Sequence, residues 1–315
     1  MIQPPPPGIY PATPFDVYRS WDALNASAIT VGVERSMAHL RAAMQGDIDH
    51  DSPEMMLGRL AHAITLGEPD FDRLYYVYRP AADEKVTEAG FPPLNTGDGK
   101  ARMMVARDAA AGREMVSMKM LGTANAMAAA IMRHPKAAPL FRCAGEAEAS
   151  VVWHETIEVD HKQVTVACKG RIDRFAGGVL GLDLKSTRCA ERGAFERAVF
   201  SYGYHRQLAW YMRGFASTRA NGAKPTPFVI VAVENALPFG VNVFQVDDES
   251  LAIGALDCEA VLVKYARAVL TGEWPGYSAE VQTVGIPTWA KRAANVMVSQ
   301  EASNESGEDD PRTPW

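Results

Sequence analysis

Cysteine is scarce. The chain of 315 residues holds only Cys143, Cys168, Cys189 and Cys258, standing 25, 21 and 69 residues apart. Without a C-x-x-C pair this spacing gives neither a common zinc site nor a disulfide framework, and it suits a reducing compartment. Long apolar runs are missing too, since nothing approaches the about 20 residues that a membrane span needs. The opening MIQPPPPGIYPATP lacks the basic and apolar regions of a secretory signal. Positive charge is not in excess: 32 Lys and Arg stand against 38 Asp and Glu, a net −6. That excludes a uniformly basic surface but not a basic channel in a near-neutral body, because residues 301–315 alone carry a net −4 and leave about −2 for the rest. These gaps predict a soluble, cytoplasmic protein with no membrane partner. What remains is ordinary globular composition, 47% apolar and 22% charged, in a chain long enough for one large domain or two.

Residues 1 to about 14 are proline-rich and predict an extended arm. A short helix capped near Asn25 or Ser27 follows, then a second capped by Ser36. Ser52-Pro53-Glu54 starts a helix that Gly67 stops, so residues 53–66 are helical and carry His62, with Gly58 one turn below it where a backbone could approach closely. A strand is expected near residues 74–78, then a Gly/Pro-rich loop to about Gly99. Its NTGDGKA is not a phosphate-binding loop, since Leu94 stands where the first glycine is required and Ala101 follows Lys100. Residues 100–111 and 118–134 read as helices, the second capped by Ser117. From Glu146 the texture turns to strands: EAEASVVWHE, KQVTVACKGRIDRF and VLGLDLKS. Helices near 190–200 and 203–218, strands 227–234 and 240–246 and an amphipathic helix 249–270 complete an α/β pattern with a mixed sheet.

The chain is organised around CKGRIDRFAGGVLGLDLKST, residues 168–187, which reads as two short strands joined by a Gly-Gly turn. Strand parity puts Asp183 and Lys185 on one face with Leu182 and Leu184 on the other, and groups Lys169, Arg171 and Asp173 opposite Ile172. Two carboxylates that close repel, and Lys185 is one charge against two, so a cation between them is favoured. Oxygen ligands suit Mg²⁺ or Mn²⁺ rather than zinc, and such an ion can generate hydroxide that Lys185 would orient. The same spacing also occurs in surface hairpins. Glu148 lies on a strand where it can face that polar pocket or solvent equally well. On the helix YGYHRQLAWYMRG, Gln207 and Tyr211 share a face, with His205 and Arg206 nearby, an arrangement able to bind a phosphate or fix a nucleic-acid strand. Trp210 and Leu208 read as core.

In this order, His62, Glu148, Asp173, Asp183-Leu184-Lys185 and Gln207-x-x-x-Tyr211 resemble the motifs of the PD-(D/E)xK nucleases of the RecB type. More closely, ALNASAI, LGRLAHAITLGEPDF, EASVVW, CKGRIDR, GLDLKST, AFERAVFSYGYHRQLAWY and IPTWA are similar to the RecE-type exonuclease VIII nuclease domain. The likeness covers residues 20–292, leaving 1–19 as a proline-rich arm and 293–315 as an acidic, disordered tail. It implies a restriction-endonuclease-like α/β core, with a central mixed sheet flanked by helices and a helical N-terminal part. The activity implied is Mg²⁺-dependent hydrolysis of linear duplex DNA from 5′ ends, with Mn²⁺ able to substitute, leaving 3′ strands for a RecT-like annealing partner. A homo-oligomeric ring threading DNA ends would explain how an acidic protein holds a polyanion. By motif position His62, Asp173, Asp183 and the Leu184 carbonyl would be metal ligands and Lys185 would assist the attacking water. Gln207, Tyr211 and Arg206 would contact DNA, and Glu148 matches a second acidic position.

Three features depart from that pattern or leave it open. Long RecE proteins carry an N-terminal extension not present in this sequence, and the cysteines do not match the iron-sulfur members. The tail ending in Trp315 reads as a solubilising terminus or as a partner-recruiting peptide. Fold and metal site do not set polarity, so an endonuclease of the same fold and a catalytically idle DNA-binding scaffold are the alternatives.

Overall fold

A computed structural model describes residues 2–46, 52–218, 226–288 and Lys291. In chain order the elements are β1 (Gly8–Tyr10), α1 (Phe15–Ser20), α2 (Ala26–Glu34), α3 (Met37–Gln45), α4 (Pro53–Leu66), α5 (Phe71–Leu74) and β2 (Tyr75–Tyr78). They continue with α6 (Gly97–Ala110), β3 (Glu114–Ser117), α7 (Met118–Arg133), α8 (Ala137–Arg142), β4 (Gly145–Val159), β5 (Lys162–Ala176) and β6 (Leu180–Thr187). The last are α9 (Arg192–Ser201), α10 (Tyr204–Thr218), β7 (Phe228–Glu234), β8 (Val241–Phe244) and α11 (Asp248–Thr271).

Local chemistry sets the helix boundaries. The side chains of Asn25, Ser36, Ser52 and Ser117 each accept a backbone N–H three residues on, satisfying donors that the first turn leaves free. Helix α4 also has Pro53 in its first turn and ends at Gly67, whose φ of 71° is the left-handed conformation that glycine adopts without strain.

Six strands form one mixed sheet in the order β1-β4-β5-β6-β7-β8, parallel only between β6 and β7, and β2 and β3 form a separate parallel pair. On one face α2, α10 and α11 bury Leu24, Ile29, Trp153, Trp210, Phe215 and Val261. On the other, α4 and α7 bury Leu60, Met127 and Ile131 against Leu184, Val231 and Val233. Six of the seven residues of β7 are buried, as expected of a central strand covered on both faces. Two close approaches seat the helices. A Cβ on Gly214 of α10 would lie 2.6 Å from the Trp153 ring, and one on Gly58 of α4 would lie 2.8 Å from Ser186 Oγ.

The structure departs from the sequence reading in four places. The proline-rich arm is not free: β1 pairs antiparallel with β4, and α1 follows within the predicted arm. Helix α6 begins at Gly97 rather than at residue 100, and β3 and α8 were not anticipated because both are short and abut the capped ends of α7. The central hairpin is also not continuous. β5 and β6 pair only over residues 174–176 and 180–182, and β6 then turns to β7, which it follows from Gly181 to Thr187. The edge that β5 loses is closed by the Leu24 backbone, which donates to Ala167 and accepts from Lys169.

The chain divides into two units, Met1–Gly276, which contains every element above, and Tyr277–Trp315. In the second, residues 277–287 run as coil and bends. Trp289 and Ala290 of IPTWA, and the acidic tail 293–315, lie outside the described residues. Among the described residues no helix is long and apolar enough to cross a membrane.

Leu182 is fully buried beside Ala176 and Val229, on the face away from Asp183. Leu182→Ala is expected to destabilise the protein by about 2–5 kcal/mol, read as a lower urea midpoint at unchanged slope.

Candidate active site

Where pairing between β5 and β6 stops, the next two residues facing each other across the parted strands are Asp173 and Asp183. The strands therefore form a fork with one carboxylate on each prong. Asp173 Oδ2 accepts the Leu184 backbone N–H at 2.5 Å, which ties the open prongs by a side chain in place of the lost ladder. Helix α4 sits over the fork because Gly58 lets it approach Ser186, and His62, one turn along, brings Nδ1 to 3.6 Å from Asp173 Oδ2. Four expected members of the site, His62, Asp173, Asp183 and Leu184, are thus brought together from two strands and an upstream helix.

Lys185 Nζ lies 2.8 Å from Asp183 Oδ2 and 4.8 Å from the centre of the Tyr204 ring. Burial alone would depress this ammonium, but Asp183 and then Asp173 outweigh it and hold it above the ordinary lysine value. Asp183 is 2% exposed, and although the ammonium is near, its Oδ2 makes no well-aligned hydrogen bond among the described residues. Burial, and then repulsion from Asp183, push the Asp173 carboxyl above the usual carboxylate range. Burial keeps the His62 ring less basic than usual, and Lys185 adds to this; Glu148, Asp183 and the Leu184 backbone pull it partly back. A neutral imidazole is the form that ligates metals.

Glu148 faces inward. Its carboxyl is raised by burial and then by Asp173, while Arg171, which donates to it through Nε, pulls it down. Glu148 has a φ of 54°, a conformation uncommon outside glycine, and falls with Asp173 at the gap in the β4–β5 ladder between the Ala147–Arg174 and Ala149–Ile172 pairs. Arg171 also donates to the Thr13 carbonyl and to Ser150 Oγ, so the N-terminal arm helps to aim it. The sequence reading gave Arg171 a face but no partner.

Gln207 and Tyr211 do meet, with Gln207 Nε2 donating to the Tyr211 hydroxyl at 2.8 Å. The Tyr211 ring is buried, and a Cβ on Gly170 of β5 would lie 3.0 Å from it, so Gln207 is the more accessible of the two. Arg206, expected at DNA, is instead buried and ion-paired with Glu34 and Asp257, both at 3.1 Å. Tyr204, against the Lys185 ammonium, went unassigned; its place in YGYHRQ, just ahead of Gln207, was the available signal.

The donor set fits a hard divalent cation. It offers a buried and a part-buried carboxylate, of which Asp183 is met by the Lys185 ammonium, a neutral imidazole and a backbone carbonyl, with one lysine charge against two acids. Among the described residues no three His, Cys, Asp or Glu side chains are already gathered as a metal cage, so ligation would draw the fork closer.

The family described as "PDDEXK-like domain of unknown function (DUF3799)" matches residues 27–285. Among solved structures, a protein from Eubacterium rectale described as a candidate exonuclease superposes with a TM-score of 0.51 at 14% identity, over 86% of this chain and 93% of its own. A phage-related exonuclease from Haemophilus somnus gives a TM-score of 0.29 at 11% identity, over 79% of this chain and 96% of its own, a likeness too slight to carry argument. No curated protein matches the sequence.

A carboxyl whose folded pKa is raised binds more protons folded than unfolded, so its contribution favours the fold at acid pH and is lost as pH rises through the folded value. Asp173 is therefore expected to lower the melting temperature of metal-free protein as pH climbs from about 5 towards neutrality, against the opposite contribution of the less basic His62, and Asp173→Asn to remove that downward share in thermal scans with EDTA.

Proposed function

The chain belongs to the family of PDDEXK-like domains, and from that premise we propose that it is a divalent-metal-dependent nuclease acting on the ends of linear duplex DNA. The observation that carries this reading is the convergence of Asp173, Asp183, Lys185 and His62 at the fork between β5 and β6. His62, Asp173, Asp183 and the Leu184 carbonyl would hold Mg²⁺, or Mn²⁺ in its place. When bound, the cation supplies hydroxide from water at neutral pH and neutralises charge on a phosphate oxygen.

The chain's own groups do the rest. Lys185 stays protonated and donates to the attacking water or to a phosphate oxygen, while Tyr204 and Asp183 restrict where its ammonium can point. Glu148, held by Arg171, can take a proton from water on the arm side of the fork. Gln207, anchored on Tyr211, offers its remaining amide capacity to the backbone of a bound strand.

The finer reading is 5′-to-3′ degradation that leaves 3′ strands for a RecT-like annealing protein, with copies of the chain assembled as a ring around the duplex. It draws support from the motif likeness, and from the near-neutral body that such a ring would need to concentrate its positive charge inward.

Purified protein with Mg²⁺ should shorten linear duplexes from labelled 5′ ends and leave covalently closed circles intact. Asp183→Ala or Lys185→Ala should lower the rate by at least about a hundredfold without unfolding the protein. Cutting of closed circles would replace the end-directed reading with an endonuclease, and full activity in Asp183→Ala would refute the site. Mg²⁺ should also raise the melting temperature of the unaltered protein and not that of Asp183→Ala.

A further inference from the structure

The junction of α9 and α10 carries two large aromatic side chains that no packing role explains. Phe200 is 72% exposed and Tyr202 is 67% exposed, on a chain whose other large rings in this region, Phe195 and Trp210, are buried. Tyr202 connects to the fork through Tyr204. Lys185 Nζ stands 4.8 Å from the Tyr204 ring, and Tyr204 in turn stacks on Tyr202 with centroids 5.7 Å apart and planes 30° from parallel. A ladder thus runs from the Asp183–Lys185 pair through Tyr204 to an aromatic ring in solvent. Phe200 lies nearly parallel to buried His205, with centroids 6.3 Å apart and planes 11° apart, and keeps its ring exposed. Gly203 between them has a φ of 68°, and this left-handed residue makes the sharp turn that leaves Phe200 and Tyr202 outward and returns Tyr204 inward. The exposed Arg197 lies three residues before Phe200 on α9 and so shares its face. A rigid ring beside a cation is the combination by which proteins hold unpaired strands: the ring takes a base face and the cation a phosphate.

We propose that Phe200 and Tyr202 form a stacking platform for the unpaired bases of a single-stranded DNA segment whose backbone passes into the fork at Asp173, Asp183 and Lys185. The assignment rests on the nuclease reading for the direction of the strand, and it adds the substrate form: an end already frayed or single-stranded where it meets the site. A paired terminus would have to part its last bases to reach the platform, and base–ring stacking would offset part of that opening.

The test uses the full chain in EDTA, with a short oligothymidylate carrying one 2-aminopurine as probe, titrated by fluorescence quenching. The unaltered protein should quench the probe, and Tyr202→Ala and Phe200→Ala should each weaken binding by about tenfold, with Tyr202→Phe retaining it. Both side chains are exposed, so unchanged melting curves will show that the variants fold. Affinity unchanged in both alanine variants, or no binding by the unaltered protein, overturns the platform. So does a change in sedimentation of Tyr202→Ala with oligonucleotide binding intact, which would make the rings a contact between copies. Cleavage is scored separately: a protein that binds through Tyr202 yet never cuts DNA sinks the nuclease reading and leaves the platform standing, and the reverse pattern sinks the platform alone.

Discussion

Two carboxylates, Asp183 buried and Asp173 part-buried, facing each other across a parted pair of strands are the constraint to which the rest of the structure answers. Asp173 and Asp183 stand where the β5–β6 ladder ends, and their repulsion in a poorly hydrated site must be relieved by a proton, a lysine or a metal. Lys185 relieves part of it, and the Leu184 N–H donated to Asp173 relieves more. The remaining imbalance is what a divalent cation bound there would relieve, which is why the proposed function rests on this fork.

The fork is held open from outside. β6 can leave β5 because β7 receives it along its length, and β5 can be left because the segment around Leu24 closes its edge. Lys169 fastens that segment. Its ammonium donates to the carbonyls of Tyr18, Arg19 and Trp21 at the C-terminal end of α1, at 3.0, 3.3 and 2.6 Å, where a cation also meets the negative end of the helix dipole. Burial lowers this lysine to a pKa of about 8, against a smaller opposing pull from Asp22. On the other side of β5, Trp210 donates to the Lys169 carbonyl at 2.9 Å, so one residue of β5 anchors both the arm and α10. The proline-rich arm thereby belongs to the architecture of the site, through Lys169 and through the Thr13 carbonyl that receives Arg171.

Features set by local chemistry were legible in the sequence. Helix α4 is announced by Ser52-Pro53 and closed by Gly67, and the close approach at Gly58 follows from glycine one turn below His62. Strand parity correctly separated Asp183 and Lys185 from buried Leu182 and Leu184. Features set by distant partners were not legible. Gly177-Gly178 signals a hairpin, and only β7, which starts at Phe228, reveals that the hairpin opens. Glu148 could not be oriented because its positive φ and its partner Arg171 are properties of the assembled β4–β5 pair. Arg206 looked like a basic residue beside a DNA-binding pair, whereas Glu34 and Asp257, far off in sequence, claim its guanidinium.

A crystal grown with Mn²⁺ and measured at its absorption edge would bear most directly on the fork. The account predicts one strong anomalous peak within about 2.0–2.4 Å of Asp173 and Asp183 oxygens, with the His62 ring and the Leu184 carbonyl completing the protein's share of the coordination. A fork that stays empty at saturating Mn²⁺, or a peak bound elsewhere while Asp183 keeps only Lys185, would contradict it.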